Sequence, residues 1–210
     1  MQEFVALAGI IGALSVGVVS PGPSFVMVAR LAVATSRANG LGAAVGMGVG
    51  GVVFAVAALL GLQAVLLAVP SVYLALKLLG GLYLCYLGLR IFLAAKVALT
   101  VEAPGQGDGA PLFRSFWLGL TTQVSNPKTA IVYASVFAAF LPGTFSLPFA
   151  AALLGVVFVV EAGWYAVVAT LLSSSRPRRA YLSYKAWVDR TAGLVMVGLG
   201  LKLVTSAHRP

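Results

Sequence analysis

Charge is what this sequence lacks most. Only 9% of its 210 residues are charged, while 60% are hydrophobic; a soluble domain carries roughly 25% charged residues. Most of the chain therefore has to face lipid or other lipid-embedded helices. The other scarcities narrow the chemistry. Cys85 is the only cysteine, which excludes an internal disulfide, a CxxC redox pair and a thiolate cluster, and with them a thiol–disulfide electron carrier. His208, near the end of the chain, is the only histidine. A histidine-based metal site has no ligands, and a heavy-metal exporter would be expected to show His, Cys or clustered acids. An intramembrane protease or acyltransferase needs a base within the apolar spans, such as an Asp pair or a Ser/His couple. Its absence speaks for a non-enzyme. No Gly-Lys-Ser/Thr follows the glycine-rich segment, so a phosphate-binding loop is unsupported. The first residues, Met1-Gln2-Glu3, lack the positive start of a signal peptide, and none is expected.

Apolar runs fill the space these absences leave. A membrane-spanning helix needs about 20 apolar residues, and six stretches approach or exceed that length: Phe4–Ala29, Gly40–Leu62, Val72–Leu93, Phe116–Leu141, Leu147–Leu172 and Trp187–Val204. The pattern predicts an all-α integral membrane protein of six spans, the first and fourth broken at proline. The net charge of +9 does not signal nucleic acid, because the basic residues sit in short gaps between apolar stretches. The gaps after the first, third and fifth spans hold Arg30, Arg37, Arg90, Lys96, Arg114, Arg176, Arg178, Arg179, Lys185 and Arg190; the opposite side holds only Lys202 and Arg209. This bias predicts that the basic loops are cytoplasmic and both termini outside.

The chain also repeats itself. Gly80-Gly81-Leu82-Tyr83-Leu84-Cys85-Tyr86-Leu87-Gly88-Leu89-Arg90 matches Ala192 to Lys202 at an offset of 112 residues. Pro21 answers Pro127 at a similar offset. Residues 1–95 then form one three-helix repeat, 96–114 a Gly- and Pro-containing cytoplasmic linker, and 115–210 a second repeat, within one membrane domain. An odd number of spans per repeat forces opposite insertion, the inverted-repeat plan of many secondary transporters.

The two interruptions, Ser20-Pro21-Gly22-Pro23-Ser24 and Asn126-Pro127-Lys128, are the candidate pathway for substrate and ion. Proline removes a backbone donor and frees a carbonyl one turn earlier. In hydrocarbon such freed groups cost several kcal/mol unless they are buried in protein or face a water-filled cavity. A single proline is as readily a packing kink; a symmetric pair points to a polar cavity between the halves. Glu161 lies near the middle of the fifth stretch, where a charged acid costs about 2.5–3.5 kcal/mol on insertion scales. It is a proton-coupling candidate, the alternative being a hydrogen-bonded structural acid. The Lys128 ammonium can face the cavity, snorkel, or neutralise freed carbonyls. Lys77 and Asp189 occupy equivalent repeat positions and read first as snorkelling residues, second as site residues. Gly42, Gly46 and Gly50 form small-xxx-small pairs that favour close helix packing. Tyr83, Tyr86, Trp117, Trp164, Tyr165 and Trp187 read as belt or packing aromatics.

Taken together, the Pro-Gly-Pro break, the glycine-rich second span, Tyr83-Leu84-x-Tyr86-Leu87-Gly88 and Asn126-Pro127-Lys128 resemble the LysE family of amino-acid exporters over nearly the whole chain. Val160-Glu161-Ala162-Gly163-Trp164-Tyr165 and Lys185-Ala186-Trp187-Val188-Asp189 look most like the threonine/homoserine efflux branch. The resemblance implies a bacterial inner-membrane exporter of a neutral amino acid. It would be driven by the proton gradient without nucleotide, metal or other cofactor, and a homodimer is compatible with it. The alternative is export of another small metabolite, or of basic amino acids, on the same fold. Two positions depart from the pattern: Ser24 stands where many relatives carry Asn or Asp, and Gly50-Gly51 where many carry an acid. Both remove polar ligands and leave Glu161 as the acid deep in the membrane.

Overall fold

The computed structural model describes residues 1–20, 22–68, 70–96 and 111–206, with backbone alone at 62–68, 70–73, 76–77, 175–178 and 206. Among the described residues it is all helical, with eight helices and no strand. These are α1 (Gln2–Val19), α2 (Pro23–Ala34), α3 (Arg37–Ala68), α4 (Pro70–Ala94), α5 (Leu112–Val124), α6 (Pro127–Phe140), α7 (Leu147–Leu172) and α8 (Ser175–Ser206). Three are long and apolar enough to cross a bilayer by themselves: α1, α3 over Arg37–Gly61, and α7. Shorter apolar helices cover Pro23–Ala34, Leu78–Ala94 and Pro127–Phe140.

Both expected breaks are present. The first apolar stretch is two helices, α1 and α2, parted by extended backbone at Ser20 and Gly22. The fourth is α5 and α6, parted at Ser125 and Asn126. Proline is placed where it does least harm: Pro23 and Pro127 both sit at the start of the helix after the break, where the missing N–H would have had no partner. Pro23 is thus the structural counterpart of Pro127; Pro21 lies outside the described residues. Twelve residues of α2 and thirteen of α5 put the two breaks about 18 and 20 Å from the end of the bundle that carries Arg37 and Arg114, at 1.5 Å per residue.

Glycine decides which helices touch. A methyl group on Gly46 or Gly50 would collide with α5, at Phe116 and Gln123, and one on Gly42 would press to 3.2 Å from the Leu112 carbonyl oxygen. On Gly48 or Gly51 it would strike α7, at Ala162 and Glu161. So α3 is wedged between α5 and α7 on two glycine stripes, as the small-xxx-small reading expects. The helices α4 and α8 cross through the matched segments of the repeat. A methyl on Gly88 would come within 2.5 Å of the Gly193 carbonyl oxygen, and one on Gly193 within 2.6 Å of that of Gly88. Gly81 and Gly200 are reciprocal in the same way. Since 81 + 112 = 193 and 88 + 112 = 200, each glycine packs on the repeat partner of the other. At the centre Cys85 Sγ donates to the carbonyl of Val197, its own repeat partner (85 + 112 = 197), at 3.6 Å. Elsewhere the pairs also exchange: α1 packs on α7 as α5 does on α3, and α2 packs on α7 as α6 does on α3.

At the end opposite the basic loops, Glu3 at the start of α1 accepts hydrogen bonds from the backbone N–H (2.6 Å) and hydroxyl (3.1 Å) of Ser146, the N-cap of α7. A carboxylate at a helix N-terminus is favourably placed against its dipole. This contact ties the two halves of the chain together at that end.

Candidate functional site

The polar groups freed by the two breaks meet in the interior. Ser24, in the first turn of α2, donates its hydroxyl to Gln123 Oε1 at 2.8 Å and accepts from Asn126 Nδ2 at 2.9 Å. Asn126 is the N-cap of α6, its Oδ1 accepting from the Lys128 backbone N–H at 3.0 Å. Lys128 Nζ reaches back across the interface and donates to the Ser20 carbonyl at 2.7 Å. That is the carbonyl left at the C-terminal end of α1, and a cation there offsets both its lost partner and the negative helix end. The Lys128 side chain also runs over Gly22, where a methyl group would be 3.3 Å from its Cδ.

Glu161 completes the cluster. It is 1% exposed, and both its oxygens accept hydrogen bonds, from Gln123 Nε2 at 2.9 Å and from the Tyr133 hydroxyl at 2.9 Å. A chain of side-chain hydrogen bonds therefore runs Asn126–Ser24–Gln123–Glu161–Tyr133 through α6, α2, α5 and α7. Networks of this kind specify one arrangement only when each member is satisfied, and here each carboxylate oxygen has a neutral donor. The nearest cation, Lys128, is spent on the Ser20 carbonyl. Gly51 on α3 supplies the room: a methyl there would sit 2.8 Å from both Glu161 Cγ and the Tyr133 hydroxyl.

Two hollows touch this cluster. The inner one measures about 20 Å³ and is bounded by Ser20, Gly22, Ser24, Gln123, Asn126, Lys128, Thr129, Tyr133, Glu161 and Tyr165, with Leu14, Val18 and Val132 as an apolar wall. That is room for a single water. The outer one is a vestibule of about 470 Å³ open toward the basic end, lined by Gly22, Pro23, Tyr83, Arg90, Asn126, Pro127, Lys128, Lys185 and Asp189 among others. Gly22, Asn126 and Lys128 belong to both walls, so the broken backbone is the partition between them.

The structure thus brings Ser20, Gly22, Ser24, Asn126, Lys128 and Glu161 to one place, with Pro23 and Pro127 on the vestibule side. Asp189 does not snorkel. It is 4% exposed and paired with Lys185 at 2.6 Å, Lys185 itself being 7% exposed. The side chain of Lys77 lies outside the described residues. Tyr165 is no belt aromatic; it is buried at the inner hollow. Gln123, Tyr133, Thr129 and Tyr165 are additions to the expected set. Helical spacing held the signal: Asn126, Thr129 and Tyr133 recur at intervals of three and four on one face of α6, and Glu161 and Tyr165 at four on α7.

Among the described residues no group of His, Cys, Asp and Glu is arranged to hold a metal ion. The sequence profile of the LysE type translocator family matches residues 15–207. The chain is 33% identical to the threonine efflux protein of Escherichia coli K12 over 192 residues, covering 91% of this chain and 93% of that protein. It is 32% identical, with the same coverage, to the threonine efflux protein of Salmonella typhi. The leucine efflux protein of Klebsiella pneumoniae is 26% identical over 95% of this chain and 94% of its own length. No solved structure matches the chain.

Proposed function

We propose that this chain, which belongs to the LysE type translocator family, exports a small neutral amino acid of the threonine/homoserine kind in exchange for protons, by alternating access between two inverted three-helix halves. It is a multi-pass membrane transporter and not an enzyme. The observation that carries the finer reading is the meeting of both broken helices with one fully buried acid at a hollow that adjoins an open vestibule.

The substrate class follows from the walls. Uncapped Gly22 leaves the first N–H groups of α2 without a side-chain partner, which suits a carboxylate. Ser24, Gln123, Asn126 and Thr129 face Leu14, Val18 and Val132 across the inner hollow. A side chain with one hydroxyl and one methyl matches such a two-sided wall. A basic side chain would meet the Lys128 ammonium, which argues against cationic substrates. The named threonine efflux relatives point the same way.

Glu161 is the proposed proton carrier. It has no ion-pair partner among the described residues, so charging it inside the closed hollow is costly, whereas a water-filled open state relieves that cost. Proton loss toward one side and gain from the other would then be tied to which side is open. The vestibule lies on the side of the basic loops, which the charge bias assigns to the cytoplasm of a bacterial inner membrane; at the other end Glu3 ties the start of α1 to the start of α7 through Ser146. The exchange of helix pairs around the Gly81/Gly200 and Gly88/Gly193 crossing supports two inverted halves.

The test is reconstitution into liposomes loaded with radiolabelled threonine, leucine or lysine. A pH gradient should accelerate threonine release well above that of lysine. Release of no amino acid above empty liposomes would refute the reading.

A further inference from the structure

The vestibule holds a feature that the inner site does not need. Lys185 and Asp189, one turn apart on α8, form an ion pair that is almost wholly buried, and both line the vestibule wall. Such a pair is a poor source of stability, because desolvating two charges consumes most of what their attraction returns. It is also incomplete. Lys185 Nζ donates to Asp189 Oδ2, whereas Asp189 Oδ1 is buried without a hydrogen-bond partner among the described residues. Arg90 lines the same wall and, among the described residues, is held by the Tyr86 ring and a long contact of 3.5 Å to its hydroxyl.

We propose that the Lys185–Asp189 pair is a reception site for the zwitterion, distinct from the site at the broken helices and occupied before it. An amino acid carries an ammonium and a carboxylate on one carbon. Docked against the pair, its ammonium donates to the unpartnered Asp189 Oδ1, and its carboxylate accepts from Lys185 and Arg90. The assembly of a neutral pair with a neutral zwitterion adds no net charge to a poorly solvated wall. The site selects for the α-amino acid head group and is indifferent to the side chain. Selection among side chains is left to the inner hollow, reached past Asn126 and Lys128, which line both spaces.

This inference rests on the transport reading above, and its test separates the two. In reconstituted vesicles, with substrate supplied from the basic-loop side, D189N and K185Q should raise the half-saturating threonine concentration roughly 10-fold or more, the expected loss for one charged hydrogen bond. The maximal rate should stay within about 2-fold, because the inner site is intact. The charge-exchanged variant K185D/D189K restores a buried pair but reverses its order against Arg90. It should fold as the wild type does, and keep a raised half-saturation. Wild-type half-saturation in K185D/D189K would show a purely structural pair and overturn the proposal, as would unchanged half-saturation in folded D189N. If D189N fails to fold, the exchanged variant decides alone. Absence of transport by the wild-type protein would instead defeat the transport reading itself.

Discussion

A carboxylic acid buried at 1% exposure has to be explained by its neighbours, and both hydrogen-bond partners of Glu161 are neutral donors. Gln123 and Tyr133 each give it one hydrogen bond; neither cancels a charge. An amide in place of the acid keeps the size and most of the bonding. Glu161→Gln is therefore expected to fold and to exchange labelled for unlabelled threonine at a near-normal rate, while losing acceleration by a pH gradient. Full gradient-driven efflux by that variant would remove Glu161 from the coupling role. Gln123 presents a different case, because it serves Ser24 and Glu161 together. Gln123→Leu leaves a buried Glu161 carboxyl oxygen and the Ser24 hydroxyl without this partner, a loss of about 1–3 kcal/mol. A lowered thermal midpoint in detergent, together with weakened transport, is expected. At this scale the sequence exposed Glu161 plainly, because an acid amid Val, Ala and aromatics stands out as either a proton carrier or a hydrogen-bonded structural group. It named Asp189 as a lesser candidate but concealed its pairing, because Lys185 falls within what reads as a cytoplasmic gap and only the continuous helix α8 shows the two one turn apart.

Elements were legible where proline and glycine governed them. Two broken helices follow from the Pro-Gly-Pro and Asn-Pro-Lys segments, since a proline begins a helix more easily than it continues one. Removing the one at Pro127 by alanine returns an N–H to the junction and lets α5 run toward α6. Transport should fall several-fold more than membrane expression; a matching fall in both would mark Pro127 as a structural kink alone. The glycine stripes make a sharper contrast. A leucine at Gly46 has to displace the α5 backbone at Phe116 and Leu120, and Gly46→Leu should abolish the monodisperse folded protein. Gly155 on α7 has open space around its Cα. Gly155→Ala should be neutral or slightly stabilising, by up to about 1 kcal/mol of helix propensity. Element ends were less legible. The helix α8 begins at Ser175, a dozen residues before the apolar run that announces it at Trp187. Its first three turns are rich in Ser and Arg, and hydropathy alone does not register them.

Across the whole molecule, the repeat in sequence becomes an exchange of partners in space. The matched segments 80–90 and 192–202 cross one another, and the second break donates into the first, Lys128 to Ser20 and Asn126 to Ser24. How the halves would meet could not be read from the chain, because hydropathy gives spans and not their neighbours. The register that sets Gln123 against Glu161 is fixed by glycine packing of α3 on both α5 and α7. A hollow of about 470 Å³ adjoins the paired breaks on the side of Arg90 and Lys185, and Glu3 and Ser146 tie α1 to α7 at the far end. The inner hollow has room for one water, so the proposed transport requires it to enlarge before it can hold an amino acid.

Central to the proposed mechanism is a water-filled space at the paired breaks that substrate enters from the vestibule. Thiol accessibility reads it most directly. In a Cys85→Ala background, a single cysteine introduced at Ser24 or Asn126 is exposed to a membrane-impermeant maleimide from each side in turn. The account predicts labelling from the basic-loop side that slows markedly with saturating threonine. Cysteines at both positions that stay unlabelled from either side, with threonine and a pH gradient present or absent, would contradict it.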